Sequence, residues 1–222
     1  MGLKGGKARI ALGGLMVLLA ASPACAIDGS EIARNGTQTG APACAACHGD
    51  DGGGSIEGGF PRLAGLSVGY LTHELDSFGD GSRENETMGA IAQALTSDER
   101  RAVAAYYAGL PAPKAAEASA PDGAISSRGR NLAETGDWSR GVPACGQCHG
   151  PAGQGVGAAF PALAGQPAAY LMAQLSAWKT GTRHNDPLGL MKGIADKLSD
   201  QDGAAVSAYY AALPASQVGD SR

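Results

Sequence analysis

The chain contains an internal repeat, and this feature constrains its fold more than any other. The stretch PACAACHGDDGGG at residues 42–54 returns as PACGQCHGPAGQG at residues 143–155. Further matches follow at offsets of 100 to 103 residues, among them Phe60 with Phe160, Tyr70 with Tyr170, and Leu110 with Leu213. Self-similarity of this kind indicates duplicated domains. We expect two homologous domains at residues 27–110 and 125–222, joined by a Pro- and Ala-rich linker at 111–124.

Residues 1–26 have the pattern of a secretory signal peptide. The charged stretch MGLKGGKARI precedes the apolar ALGGLMVLLA, and Ala24 and Ala26 form a small-residue cleavage site. This pattern predicts export to the periplasm. Cys25 could alternatively carry a lipid anchor, but the Ser-Pro dipeptide two residues before it does not fit a lipoprotein signal, so we disfavour that interpretation.

The mature chain is acidic, and its charge is unevenly distributed. Without residues 1–26 it holds 14 Lys and Arg against 21 Asp and Glu, a net charge of −7. Residues 27–110 carry 5 basic and 12 acidic side chains, whereas residues 125–222 carry 8 and 7. An acidic surface argues against a nucleic-acid partner and against anionic membranes, although peripheral membrane association stays open.

The hydrophobic pattern predicts an all-α fold. Val68, Leu71, Leu75 and Phe78 share one face of a helix, and Leu171, Leu175 and Trp178 repeat that face in the second copy. Capping-box spacings predict where the last helix of each copy begins. These are Thr96 with Glu99 in the first copy and Ser199 with Asp202 in the second. No stretch shows sustained period-two alternation, so strands are not expected.

Both copies carry the pattern Cys-x-x-Cys-His, which is the attachment signature of c-type haem. The two thiols add to the haem vinyl groups, and the adjacent imidazole supplies a nitrogen to the iron. A redox disulfide or a shared four-cysteine zinc site is the alternative, but neither explains why His follows the second Cys both times. The candidate residues are Cys44, Cys47 and His48 in the first domain, and Cys145, Cys148 and His149 in the second.

Two methionines are candidates for the sixth position on each iron. Met88 lies 40 residues after His48, and Met191 lies 42 residues after His149. Each lies shortly before a matching Ile-Ala dipeptide. A thioether ligand raises the reduction potential, as in electron-transfer cytochromes. Met172 has no counterpart in the first copy, so we assign it to packing.

With these motifs the chain resembles cytochrome c4, a class of dihaem bacterial cytochromes c. The resemblance spans the mature chain and is carried by CAACHGDDG, FPRLAG and MGAIAQALTSDERRAVAAYYAGL, and by CGQCHGPAGQG, FPALAGQ and HNDPLGLMKGIADKLSDQD. It implies two tandem cytochrome c domains related by pseudo-twofold symmetry, with haem propionates facing across the interface. It also implies that the carbonyls of Pro61 and Pro161 accept hydrogen bonds from His48 and His149.

The resemblance implies a single-electron carrier that feeds a terminal haem-copper oxidase of a bacterial respiratory chain. A cytochrome subunit of a periplasmic dehydrogenase complex is the alternative. A dihaem peroxidase is disfavoured by the two repeated methionines, since a peroxidase must leave one iron open. The acidic first half also predicts that the first haem has the lower potential, because negative charge stabilises ferric iron.

Four polar residues are left with open or minor roles. The repeated Arg83 and Arg183 are interpreted either as partners of haem propionates or as solvated surface residues. His73 and His184 have no counterparts in the other copy, and we interpret both as surface histidines.

Overall fold

The computed structural model describes residues 1–2, 27–113 and 123–215. The predicted signal peptide, Cys25 and most of the predicted linker lie outside these residues. Within the described ranges the all-α prediction is confirmed, because the elements are helices and β-pairing is limited to isolated bridges. None of the helices described is long and apolar enough to cross a membrane.

In the described part of each domain, five α-helices follow one another in the same order. The first has α1 (Gly29–Asn35), α2 (Ala45–His48), α3 (Val68–Asp80), α4 (Glu86–Gln93) and α5 (Ser97–Gly109). The second has α6 (Gly123–Glu134), α7 (Gly146–His149), α8 (Ala168–Thr180), α9 (Leu190–Ala195) and α10 (Asp200–Ala211), with a 3₁₀ turn at Trp138–Arg140. Helix α6 begins inside the segment that we predicted as linker.

The first and last helices of each domain cross in direct backbone contact. A Cβ placed on Gly29 of α1 would lie 2.0 Å from the carbonyl oxygen of Ala102 in α5. A Cβ on Gly129 of α6 would lie 2.2 Å from the carbonyl oxygen of Ala205 in α10. Glycine is therefore required at both crossings, and these crossings bring the two ends of each domain together over its core.

The core of each domain is formed by these crossing helices and the long middle helix. Leu71 and Phe78 of α3 are buried as the helical face predicts, but Val68 of the same predicted face is exposed, because it lies in the first turn of the helix. Both predicted capping boxes are present, with the side chains of Thr96 and Ser199 accepting from the third residue of their helices. The start of α5 and of α10 is thus determined locally.

The two domains meet around a pseudo-twofold axis. Arg83 and Arg183, which are equivalent in the repeat, pair with each other in an antiparallel bridge. Reciprocal backbone hydrogen bonds flank the bridge, from the N–H of Glu84 to the carbonyl of Thr182 and from the N–H of His184 to the carbonyl of Ser82, each 2.8 Å. Equivalent residues can exchange bonds in this way only across a local twofold axis, so the predicted symmetry is confirmed.

Candidate functional site

The two Cys-x-x-Cys-His motifs form short helices, α2 and α7, that begin directly after the first cysteine. The four thiols are free, and Cys44 and Cys145 are partly covered by the core. Burial raises the pKa of the Cys44 thiol and raises that of Cys145 to about 11. Such an environment penalises a thiolate but not a neutral thioether, which suits covalent attachment better than metal binding through thiolates.

The alternative of a shared zinc site is not formed by the described residues. They contain no group of three or more His, Cys, Asp or Glu side chains placed to hold a metal ion. The two cysteine pairs lie in separate domains, so they do not combine into one four-cysteine site.

The motif histidines are held in one orientation by backbone carbonyls. The Nδ1–H of His48 donates to the carbonyl of Pro61 at 2.9 Å, and that of His149 donates to the carbonyl of Pro161 at 2.8 Å. These are the contacts that the resemblance implied. Because Nδ1 carries the proton, Nε2 keeps the lone pair that a metal ligand needs. Burial lowers the pKa of both histidines, which favours the neutral imidazole.

A glycine in the loop after each motif histidine forms hydrogen bonds with the residues that follow Pro61 or Pro161. The carbonyl of Gly52 accepts from the N–H groups of Leu63 and Ala64, and Gly153 does the same in the second domain. Both glycines have a φ of +67°, and a Cβ on either would lie within 3 Å of the ring of Tyr107 or Tyr210. The loop can therefore pack against the last helix of its domain only with glycine at this position.

Met88 and Met191 occupy equivalent places near the start of a short helix. The N–H of Met88 donates to the side chain of Asn85, and that of Met191 to the side chain of Asp186, both at 2.8 Å. Three extra residues precede Met191, which is why a different residue caps each helix. Met172 lies elsewhere, with its sulfur against Gly203 of α10, in agreement with a packing role.

A buried ionic network joins the two domains. Glu74 of α3 accepts from Arg83 of its own domain at 2.6 Å and from Arg183 of the other domain at 2.6 Å. Arg83 also donates across the interface to Tyr170 and Gln174. The side chains of Arg83 and Arg183 are 8% and 4% exposed, so the solvated-surface interpretation of these arginines is wrong.

Aromatic rings and an amide complete this network. The guanidinium carbons of Arg83 and Arg183 lie 4.3 Å and 4.1 Å from the ring centroids of Phe78 and Trp178, respectively. Asn185 donates to Glu74 at 3.1 Å from the second domain. His73 and His184 are exposed as predicted, although His73 also contacts the carbonyl oxygen of Asn185 at the rim.

A second cross-domain contact lies beside Pro61. The backbone N–H and C=O of Arg62 bond the side-chain amide of Gln166 at 3.0 and 2.9 Å. Sequence reasoning missed Arg62, Gln166 and Glu74. The available signal was the difference between the copies, since Ala162, Leu66 and Gln174 occupy the equivalent positions.

The residues present fit two haem groups. Each domain combines two free thiols, an imidazole held at one nitrogen by a backbone carbonyl, and a half-buried methionine on a capped helix. A chain with such a site in each of two helical domains is a dihaem electron-transfer protein of the c type. The family model for cytochrome c matches residues 28–111 and 126–213, and the chain belongs to the cytochrome c family with two covalent haem c groups.

The similar proteins include thiosulfate dehydrogenase electron acceptors and cytochromes c4. A thiosulfate dehydrogenase electron acceptor from Stutzerimonas stutzeri (strain A1501) is 47% identical over 209 residues, which cover 94% of this chain and 96% of the relative. A cytochrome c4 from Thiocapsa roseopersicina is 43% identical over 173 residues, 77% of this chain and 86% of the relative. The solved thiosulfate dehydrogenase (TsdBA) of Marichromatium purpuratum superposes with a TM-score of 0.78 at 46% identity, covering 84% of this chain and 40% of that one.

Proposed function

We propose that this protein accepts electrons from a thiosulfate dehydrogenase in the periplasm and passes them to a terminal oxidase. The observation that carries the proposal is the 47% identity to a thiosulfate dehydrogenase electron acceptor over nearly the full length of both proteins. A second such relative, from Thiomonas intermedia (strain K12), is also 47% identical, over 176 residues. These likenesses favour a dehydrogenase partner over the general respiratory carrier.

We assign the ligands of each haem to residues of one domain. Cys44 and Cys47 form the thioether bonds of the first haem, with His48 and Met88 on its iron. The second haem takes the equivalent set, which is Cys145, Cys148, His149 and Met191. The haem supplies one-electron exchange, and the chain fixes its ligands and its surroundings.

The full ligation of each iron and the presence of two haems each have a consequence for function. An iron held by both an imidazole and a thioether has no open position for substrate, so the protein acts as a carrier without catalysis of its own, which disfavours the peroxidase. Joining two thiosulfate ions through a new S–S bond releases two electrons, and two one-electron sites in one chain can accept both.

The partner is tested by mixing the oxidised, haem-loaded protein with a thiosulfate dehydrogenase. We expect thiosulfate to reduce both haems when the dehydrogenase is present, and no reduction when either component is omitted. The reduced protein should then be reoxidised by membranes that contain a haem-copper oxidase. If the dehydrogenase turns over with an artificial acceptor but does not reduce this protein, the proposal is wrong.

A carrier that serves several donors is the second candidate, and the 43% identity to a cytochrome c4 supports it. Equal reduction rates with the dehydrogenase and with a respiratory quinol-oxidising complex would favour this candidate.

The assigned methionine ligands are tested one domain at a time. Met88→Ala should convert the first haem alone to a high-spin form and lower its potential, and Met191→Ala should do the same to the second. Met172→Leu is the matched control and should leave the visible spectrum unchanged. A low-spin spectrum that persists in both alanine variants would contradict the assignment.

The location of the protein is tested by cell fractionation. We expect the haem-loaded protein in the periplasmic fraction, with an N-terminus near Ile27 by mass spectrometry. A lipid-modified N-terminus at Cys25 would contradict the assigned cleavage site.

A further inference from the structure

Arg62 is a fully buried cation at the interface between the domains. Its residue exposure is 0%, and it directly follows Pro61, whose carbonyl holds the imidazole of His48. Its guanidinium donates to the carbonyl of Ala64 at 2.5 Å and to the carbonyl of Ala164 at 3.1 Å. These acceptors are neutral, so they satisfy N–H groups without compensating the charge.

No carboxylate of the described residues pairs with this guanidinium. Arg62 is absent from the ion pairs of these residues, and its buried Nε has no acceptor among them. Burial lowers the pKa of the Arg62 guanidinium to about 10, so the group stays charged at neutral pH. Together with Arg83 and Arg183 it makes three buried cations at this interface, against one buried carboxylate there, Glu74. The other buried carboxylate of the described residues, Asp202, pairs with Arg128 and Arg140 inside the second domain.

The charge lies close to the pseudo-twofold axis. Ala64 and Ala164 are equivalent residues of the two copies, so the midpoint between their carbonyl oxygens lies on that axis. A guanidinium that hydrogen-bonds both oxygens is therefore within hydrogen-bonding distance of the axis. Equivalent points of the two domains, including the two haem sites, lie at similar distances from it.

We infer that Arg62 raises the reduction potentials of both haems together. It thereby sets the mean potential at which the protein accepts electrons, but not the difference in potential between the two haems. A nearby positive charge favours ferrous over ferric iron, because reduction removes one positive charge from the centre. The side chain is fully buried, so solvent ions screen it little. The inference needs the two haems but not the identity of the dehydrogenase.

Redox titration of the isolated protein, with NMR signals assigned to each domain, tests this inference. In Arg62→Gln, which keeps an N–H donor without the charge, we expect the equilibrium constant for reduction to fall by about tenfold at each haem, ~59 mV for a one-electron couple. Arg62→Lys keeps the charge and should retain potentials near those of the parent protein. Because no partner enzyme is present, the result is independent of the proposed function.

A second pair of variants leaves Arg62 in place. Gln166→Glu puts a carboxylate against the backbone of Arg62, within the same buried interface, and should lower both potentials in the same direction as Arg62→Gln. Gln166→Met removes the side-chain hydrogen bonds to the Arg62 backbone without adding charge, and it should leave the potentials nearly unchanged. Unchanged potentials in folded, fully haem-loaded Arg62→Gln or Gln166→Glu, or a shift confined to one haem, would overturn the inference.

Discussion

At the scale of single residues, Glu74 is the buried carboxylate that joins the two domains. It is buried and shared by guanidinium groups from two domains, while the equivalent residue of the second copy is the neutral Gln174. A buried carboxylate is tolerated when opposite charges and further hydrogen bonds replace its water, and Asn185 supplies one of these bonds. The asymmetry between Glu74 and Gln174 also makes the two halves of the interface distinct.

Removing this carboxylate should destabilise the protein strongly. Glu74→Gln leaves Arg83 and Arg183 buried without a counter-charge, and we expect the free energy of unfolding to fall by about 3 kcal/mol or more. Asp76→Asn is the matched control on the same helix, because its ion pair with Arg100 is half-exposed and worth about 1 kcal/mol or less. Urea denaturation of the two variants measures the difference, and similar losses would contradict the prediction.

The same residue should make stability depend on acid pH. Burial alone would raise the pKa of Glu74, but the charges of Arg183 and Arg83 outweigh it and hold the pKa below the ordinary 4.5. A lowered pKa means that this contribution is complete above pH 4.5 and is lost as the pH falls through the folded-state pKa. The unfolding midpoint should therefore fall less steeply in acid for Glu74→Gln than for the parent. Parallel profiles would contradict this expectation.

At the scale of secondary-structure elements, each domain depends on two kinds of helix contact. The crossings of α1 with α5 and of α6 with α10 need a residue without a side chain, since a Cβ at either glycine would lie no more than 2.2 Å from the facing carbonyl oxygen. The methionine helices α4 and α9 depend instead on side-chain caps. The longer loop of the second domain lets Asp186 cap α9, which leaves Asn185 available to reach Glu74.

A methyl group at a crossing should cost much more than one on an open helix face. Gly129→Ala would force α6 away from Ala205 and Tyr209, and we expect a loss of about 1–3 kcal/mol. Gly109→Ala on α5 meets nothing within 4 Å, and better helix propensity should make it neutral or stabilising by up to about 1 kcal/mol. Thermal unfolding of the haem-loaded proteins compares them, and equal shifts in midpoint would argue against the close crossing.

At the scale of the whole molecule, surface and buried charges act on the haems in opposite ways. The first domain carries most of the surplus negative charge, which favours ferric iron at its own site. The buried cations between the domains act on both sites and favour ferrous iron. The surface charge therefore changes the difference between the two reduction potentials, whereas the buried charge changes their mean.

Ionic strength should separate these two contributions. We expect the first haem to have the lower potential at low salt, and the gap to narrow as salt is added, because ions screen surface charges beyond about 10 Å at 0.1 M. The downward shift caused by Arg62→Gln should change little over the same range. Redox titrations at two salt concentrations measure both effects, and a first haem with the higher potential would contradict the charge argument.

Much of the fold and of each candidate site could be predicted from the sequence, because the signals are local. Cys44, Cys47 and His48 lie within one helical turn, and Thr96 and Glu99 form a capping box without help from the rest of the chain. The repeat also supplies a second copy of each signal. Met88 and Met191 lie at equivalent positions of the two copies, whereas Met172 has no counterpart. The contact between His48 and Pro61 spans only 13 residues, but the family resemblance implied it and no local pattern predicted it.

The sequence by itself determined that this protein has two helical domains with a c-type haem site in each. Only the tertiary structure decided what the polar residues between the domains do. Arg183 meets Glu74 across 109 residues, and Arg62 meets Ala164 across 102. No periodicity or local spacing encodes such pairs, because the twofold docking of the domains creates the burial. That burial turns ordinary charged residues into an ionic network and into a cation without a carboxylate partner among the described residues.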